Sequence, residues 1–396
     1  MKFIIRNSIL IFLVAVLNSC LEPYEPEILD GSNNFLVVDG VITNKPGPYT
    51  IKVTKSYSVN GVESDAIKVT GLTLTIEEEN GPIETLVETE DGIYQTNMLQ
   101  GKTGASYRIV FEYEGNQYQS SWEKINSSSP IDSVYYNVET KQTINIGTDI
   151  TGVQFYIDSK GSLQDAIHYR YEWEETWEIG VFYPSFFDYV GNGQLMPTTD
   201  PRHTCWRYQS QSVINIATTE SLSENVVSGH SLAFITGEEE RFIRKHSLLI
   251  KQYALNEEEY AFWKALQESN EQLGSLYDKQ PANIKGNIFN LSSPSELVLG
   301  YFSASGVQEK RMFINDLQDL SRKKWCSIPL DTLFQQDFGA TFETVLFGRL
   351  RGGYFLYDIL AGPGSTTPEG AILSASLCSD CTKKGGDLNK PIYWDD

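Results

Sequence analysis

From Phe35 onward, apolar and polar positions alternate in short runs separated by turn residues. Phe35-Leu36-Val37-Val38-Asp39-Gly40-Val41-Ile42 reads as a buried strand, and Tyr49 to Thr54 alternates with period two. Leu72 to Ile76 alternates again and ends at the Asn80-Gly81 turn. Gly92 to Thr96, Tyr107 to Tyr113 and Gln117 to Ser120 continue the series. Period two marks strands because successive side chains point to opposite faces of a sheet. Six or seven such runs in about ninety residues predict an immunoglobulin-like or transthyretin-like β-sandwich over 34–125. Asn126-Ser127-Ser128-Ser129-Pro130 reads as the linker after it.

The second part, 131–396, starts with strands as well, over Ser133 to Val138 and Gly152 to Ile157. Between Tyr169 and Ile179, Tyr169, Tyr171, Trp173 and Trp177 occupy odd positions, and Arg170, Glu172, Glu174 and Glu178 occupy even ones. The spacing predicts one aromatic face and one solvated, charged face. One helix is predicted near 257–277. Asn256 is its cap, Glu259 its capping-box partner, and Glu257 to Glu259 suit the positive end of its dipole. Tyr260, Trp263, Leu266, Leu273 and Tyr277 form a stripe of core spacing. The expected fold is mainly β, with the sandwich followed by a larger β-rich α+β domain carrying one prominent helix.

The amino terminus follows a different pattern. Lys2 and Arg6 precede an apolar run from Ile9 to Leu17, then Asn18-Ser19-Cys20. The run is short for a membrane span and ends in small residues, so 1–19 reads as a signal peptide. Leu17-Asn18-Ser19-Cys20 resembles the lipobox of bacterial lipoproteins, in which the cysteine carries acyl chains (palmitate among them) on its thiol and its freed amine. The resemblance makes Cys20 the lipidation site, and no cofactor is expected beyond that covalent lipid. Several acyl chains, at about 0.8 kcal/mol per buried methylene, anchor a chain durably. Leu21-Glu22-Pro23-Tyr24-Glu25-Pro26-Glu27 opens an extended acidic tether over 20–33. It is similar to the surface-export signal of Bacteroidetes lipoproteins, which implies an outer-membrane, cell-surface location.

Charge and cysteine usage narrow the partners. The sequence has 31 basic and 52 acidic residues, a net charge of −21. Such a surface repels phosphate backbones, so nucleic acid is not an expected partner. Cys205, Cys326, Cys378 and Cys381 form an even set in an oxidising compartment, which predicts disulfides. Three pairings exist, and the spacing does not choose among them. Cys378-Ser379-Asp380-Cys381 has the C-x-x-C spacing of zinc and redox sites. It lacks a second pair or nearby histidines for zinc, and Gly385-Gly386 follows where a redox helix belongs.

Residues with catalytic chemistry are sparse and scattered. His168, His203, His230 and His246 are scattered, and no metal site is predicted. Gly229-His230-Ser231-Leu232-Ala233 faintly resembles a nucleophile elbow, but its surroundings read as strands. From Phe182 to Pro201 the chain is irregular and aromatic. Tyr183, Phe186, Phe187 and Tyr189 mark either a contact loop or a loop folded over the core.

A distinctive stretch runs from Arg244 to Phe313. It holds Lys251-Gln252-Tyr253-Ala254-Leu255, Glu259-Tyr260-Ala261-Phe262-Trp263, Gly274-Ser275-Leu276-Tyr277-Asp278, Asn283-Ile284-Lys285-Gly286-Asn287-Ile288 and Gly300-Tyr301-Phe302-Ser303-Ala304-Ser305. With Cys205-Trp206 and the ending Lys390-Pro391-Ile392-Tyr393-Trp394, these resemble the DUF4249 family of Bacteroidetes lipoproteins. The resemblance implies a two-part, mainly β body often encoded beside TonB-dependent transporters, and carries no catalytic residue. Asn283 and Gly286 suit a turn entering a strand, and Pro391 and Trp394 suit a docked tail. The expected function is a non-enzymatic surface lipoprotein that captures a ligand for, or accompanies, a TonB-dependent β-barrel. The alternatives are a structural subunit of an outer-membrane assembly or export complex, and a cell-surface hydrolase.

Overall fold

The computed structural model describes residues 35–395 apart from 57–65, 143–148, 163, 193, 212, 238–239, 273–283, 316, 318–319, 321–325 and 362–367. The predicted signal peptide, Cys20 and the tether lie outside the described residues, as do Leu273, Tyr277 and Asn283. The fold is mainly β with one prominent helix, as the periodicity predicts. Its principal elements are β1 (Leu36–Thr43), β2 (Thr50–Lys55), β3 (Leu74–Glu78), β4 (Ser106–Tyr113), β5 (Asn116–Ser120), β6 (Ile131–Gln142), β7 (Asp149–Lys160), β8 (His168–Gly180), β9 (Val226–Thr236), β10 (His246–Leu255), α1 (Glu257–Gln272), β11 (Leu299–Ile314) and α2 (Phe342–Arg351).

A ten-stranded sheet joins the two halves of the chain. Its path runs Thr204–Ser210, β8, β10, β11, β1, β2, Ile93–Gln95 and Val87–Glu90. The joint is the parallel pairing of β1 with β11, from Val37 opposite Leu299 to Thr43 opposite Ser305. A second sheet, ordered Ile288–Asn290, β5, β4, β3 and Ile83–Thr85, also takes a strand from beyond residue 286. Strands from both halves of the sequence thus complete the layers around the amino-terminal core. The linker predicted at 126–130 is packed rather than free. Gln252 Nε2 donates to the Ser129 carbonyl at 2.7 Å and to Ser128 Oγ at 3.1 Å, and both serines are buried.

The alternation sorts the cores. Val38, Ile42, Ile51 and Phe302 of the large sheet meet Leu74, Ile76, Ile109 and Phe111 of the second in one cluster. Tyr169, Tyr171 and Trp173 of β8 meet Phe155, Ile235 and Leu248 in another, closed by the sheet β6–β7–β9. Each such buried side chain stabilises by roughly 1.5–3 kcal/mol. Close backbone approach fixes the joint. Gly300 has φ +88°, and a Cβ there would lie 2.0 Å from the Val38 carbonyl oxygen. A Cβ on Gly286 would lie 1.7 Å from the Gly300 carbonyl oxygen.

The odd positions of β8 are buried as expected. The even face departs from expectation: Arg170 is buried, because α1 packs over it. Its guanidinium lies over the Trp263 and Tyr253 rings at 4.3 and 4.8 Å. Further along, Glu174 pairs with Lys251 at 2.5 Å and Glu178 with Arg244 at 2.9 Å. On the aromatic face, fully buried Glu175 meets Arg241 at 2.6 Å and His246 Nε2 at 3.4 Å. Burial holds the His246 imidazole below its usual range. The neutral ring donates from Nε2 to Glu175, consistent with Nδ1 lacking a donor partner. Burial opposes ionisation of Glu175, but His246 and Arg241 outweigh it and hold its carboxyl below the usual range.

The helix begins where predicted. Asn256 Oδ1 accepts from the Glu259 backbone N–H at 2.7 Å. The carboxylate of Glu259 does not return to the cap. It turns inward, accepting from Ser303 Oγ at 2.5 Å and Trp263 Nε1 at 3.2 Å. Among the described residues, no helix is long and apolar enough to cross a membrane.

Residues after 330 form a smaller lobe. Strands Asp331–Phe334, Pro368–Ala375 and Tyr354–Ala361 make a three-stranded sheet under α2, with Leu333, Leu346, Leu356 and Leu373 in its core. The carboxy-terminal tail docks as its composition implied. Trp394 is buried against Trp206 and Phe313 at 6.4 and 5.9 Å, and the Arg311 guanidinium lies 3.5 Å from the centre of the Tyr393 ring.

Candidate functional site

A cleft of about 340 Å³ opens on the face of the large sheet that α1 partly covers. β1 supplies Asp39, β2 supplies Lys52, β8 supplies Arg170 and Glu172, and α1 supplies Trp263. Asp39 and Lys52 stand opposite each other in the β1–β2 register, which puts both side chains on one face. β8 and β1 are three places apart in the sheet, about 14 Å if it were flat. Both line this cleft, with Ser303 of β11 between them.

The cleft is electrically mixed. Asp39 is exposed at the cleft mouth, yet partial desolvation by the surrounding walls pushes its carboxyl above the usual range, against the pull of Lys52 and Arg170, while Glu172 pushes it further up. Arg170 Nη1 binds Glu172 at 2.5 Å. Among the described residues its buried Nε has no hydrogen-bond partner. Beneath Arg170 lies Glu259, whose carboxyl burial pushes up, offset in part by Arg170, Ser303 and Trp263. The lone polar residue of an apolar run, Asp39 in Val37-Val38-Asp39-Gly40-Val41, was the one signal of this site in the sequence. Nothing in the spacing joined it to Arg170. A second cavity, about 630 Å³, borders the start of α1. Its buried Glu123 already accepts from Ser121, Asn256, Asn287 and Tyr301, and so serves as a structural centre.

The predicted contact loop lies elsewhere, pinned to the lobe, and is not irregular throughout: Phe187–Gly191 pairs with Gln194–Pro197 as an antiparallel hairpin, because backbone pairing overrides the broken side-chain pattern. The backbone N–H groups of Phe182 and Tyr183 both donate to the Cys378 carbonyl at 3.0 Å. Ser379 Oγ donates to the Tyr183 carbonyl at 2.6 Å, and Ser185 Oγ to that of Leu356 at 2.5 Å. The four predicted residues divide. Tyr189 is buried, its hydroxyl donating to Glu343 at 2.6 Å and its ring 5.5 Å from Phe347. Tyr183 is half-buried against Tyr357. Phe186 and Phe187 remain open, with 58% and 48% of their surface exposed, beside Phe182 and Met196.

The four cysteines form two bridges. Cys205 joins Cys381 with Cα atoms 5.7 Å apart, and Cys326 joins Cys378 at 5.5 Å. The C-x-x-C pair is therefore split between partners. Cys381 ties the lobe to an edge strand of the large sheet, and Cys378 ties it to Cys326, ahead of the lobe's first strand. Ser231 lies within β9 and accepts from Gln154 Nε2 at 2.8 Å. No tight turn into a helix follows it, as a nucleophile elbow requires. Among the described residues, no group of three or more His, Cys, Asp or Glu side chains is placed to hold a metal ion.

Comparison with known families gives one result. A family described as "Domain of unknown function (DUF4249)" matches residues 21–311. The match spans the joined sheet, the cleft and α1, and ends within β11, before the disulfide-bonded lobe. No curated protein matches the chain.

Proposed function

We propose that this chain, which belongs to the DUF4249 family, is a lipid-anchored outer-membrane protein without catalytic activity that accompanies a TonB-dependent β-barrel transporter. The observation that carries the reading is the exposed pair Phe186 and Phe187 on a loop pinned at its base. Large aromatic side chains held at a fixed place on an acidic surface are what protein contacts use, because they bury much area at small entropic cost. The lipobox pattern at Cys20 supplies the membrane, and the acidic tether supplies the reach to a neighbouring barrel. A photo-crosslinking residue at Phe186 in living cells tests the proposal. The expected adduct contains a TonB-dependent barrel. Adducts with a barrel of an assembly complex, or none with any barrel, overturn it.

A further inference from the structure

The cleft on the α1 face lies apart from the aromatic loop, and its chemistry is specific. Asp39 and Lys52 face each other across β1 and β2. Among the described residues neither side chain makes a hydrogen bond or a salt bridge, though each lines the cleft. Arg170 is more than nine-tenths buried, stacked on two aromatic rings, and its Nε has no partner among the described residues. Its ion pair with Glu172 uses one arm of the guanidinium fork. The lining thus offers two carboxylates and two cations within one space: exposed Asp39 and Lys52, and buried Arg170 paired with Glu172.

A ligand seated on this lining meets charges of both signs at once, so the arrangement favours one that supplies both charges. An isolated anion satisfies Lys52 and Arg170 and meets Asp39 and Glu172 unfavourably, and an isolated cation has the converse problem. A neutral sugar leaves the opposed charges partly desolvated. A zwitterion matches both halves. The volume of about 340 Å³ sits at the small end of ligand sites, the size of one or two amino-acid residues. Trp263 and Ile214 give the wall apolar area for a side chain, and Gln267 Nε2 steadies Ile214 by donating to its carbonyl at 3.2 Å.

We propose that the cleft binds a small α-amino zwitterion, a free amino acid or a dipeptide. Its ammonium group sits at Asp39 and Glu172, and its carboxylate at Lys52 and Arg170. This deepens the transporter-accessory reading by naming a cargo class, and its test needs no barrel, so either can fail without the other.

The test uses the full chain purified in detergent. It is dialysed against a pool of free amino acids and dipeptides, against the same compounds N-acetylated and C-amidated, and against a pool of neutral oligosaccharides. Retained compounds are read by mass spectrometry. At least one zwitterion should be retained and its blocked form lost. Asp39→Asn and Lys52→Met should each weaken retention at least about ten-fold, with the melting temperature unchanged. If Asp39→Asn fails to fold, the Lys52→Met result decides. Retention of no zwitterion, equal retention of blocked compounds or sugars, or unchanged binding by the folded variants overturns the proposal.

Discussion

The large sheet and the carboxy-terminal lobe hold together by different means. At the β1–β11 joint, two stretches about 260 residues apart in the chain pair backbone to backbone, and glycines admit the approach. The sheet carries extensive cores on either side of that joint. The lobe has a short core cluster, and two disulfides close what its burial does not. A large core makes cross-links dispensable, whereas a small one needs them. The aromatic loop belongs to the second regime and the cleft to the first. One candidate contact surface is therefore redox-dependent, and the other depends on the sheet.

The sharpest break of this contrast is Gly300→Ala. It forces a side chain into a left-handed backbone and against the Val38 carbonyl. The expected loss is on the order of 4 kcal/mol, read as a lower urea midpoint for the whole sheet. A loss under about 1 kcal/mol shows that the joint tolerates slippage. Next comes the Cys326→Ser and Cys378→Ser double variant. It should cost about 3 kcal/mol, confined to the lobe: hydrogen exchange accelerates over 331–361 and 368–375 and stays slow over 246–255. Uniform acceleration would merge the two regions into one cooperative unit.

Beneath the cleft, Glu259→Ala should cost about 2 kcal/mol by leaving Ser303 and Trp263 without their acceptor. Glu259→Gln should cost less, because its amide oxygen still accepts; equal losses in chemical denaturation would show that the charge itself matters. The buried histidines give a smaller, pH-graded effect. Burial holds the imidazoles of His168, His230 and His246 below 6.5. As pH falls below that value, the unfolded chain takes protons that the folded chain refuses. Their stabilisation is therefore full above about pH 6.5 and declines toward lower pH. His230→Phe keeps the tilted ring contact with Tyr171, gives up the hydrogen bond to Asn215 and removes one titration, so its melting temperature should start lower but fall less steeply between pH 7 and 5. At the bottom of the scale, Phe186→Ser should change stability by under about 1 kcal/mol, since the side chain is mostly exposed and gives up the edge-to-face contact with His203. A loss above 2 kcal/mol in a thermal melt would make the loop part of the core.

Local features were legible in the sequence because local physics makes them. Period two located the strands of the first hundred residues and the aromatic face of β8. Asn256 and the acids after it located the start of α1, and Pro391 with Trp394 announced the docked tail. What stayed hidden is set by distant pairing. Nothing in Leu36 to Thr43 says that its parallel neighbour begins at Leu299, and no spacing chooses Cys205 for Cys381. The even face of β8 looked solvated because the pattern shows which residues share a face, not what later covers it. The cleft escaped for the same reason. Its charged residues come from β1, β2 and β8, and only the strand order of the sheet brings them to one cleft.

The joint also bears on how the body resists force. Any load applied through the residues before Phe35 reaches β1 first. β1 lies inside the sheet, bonded to β2 on one side and to β11 on the other. Tension along its axis loads both ladders in shear, so many hydrogen bonds must yield together rather than open in turn like a zip. Resistance to such pulling is governed by the unfolding rate and not by the equilibrium stability. A leash attached there would grip the molecule by one of its least extractable strands.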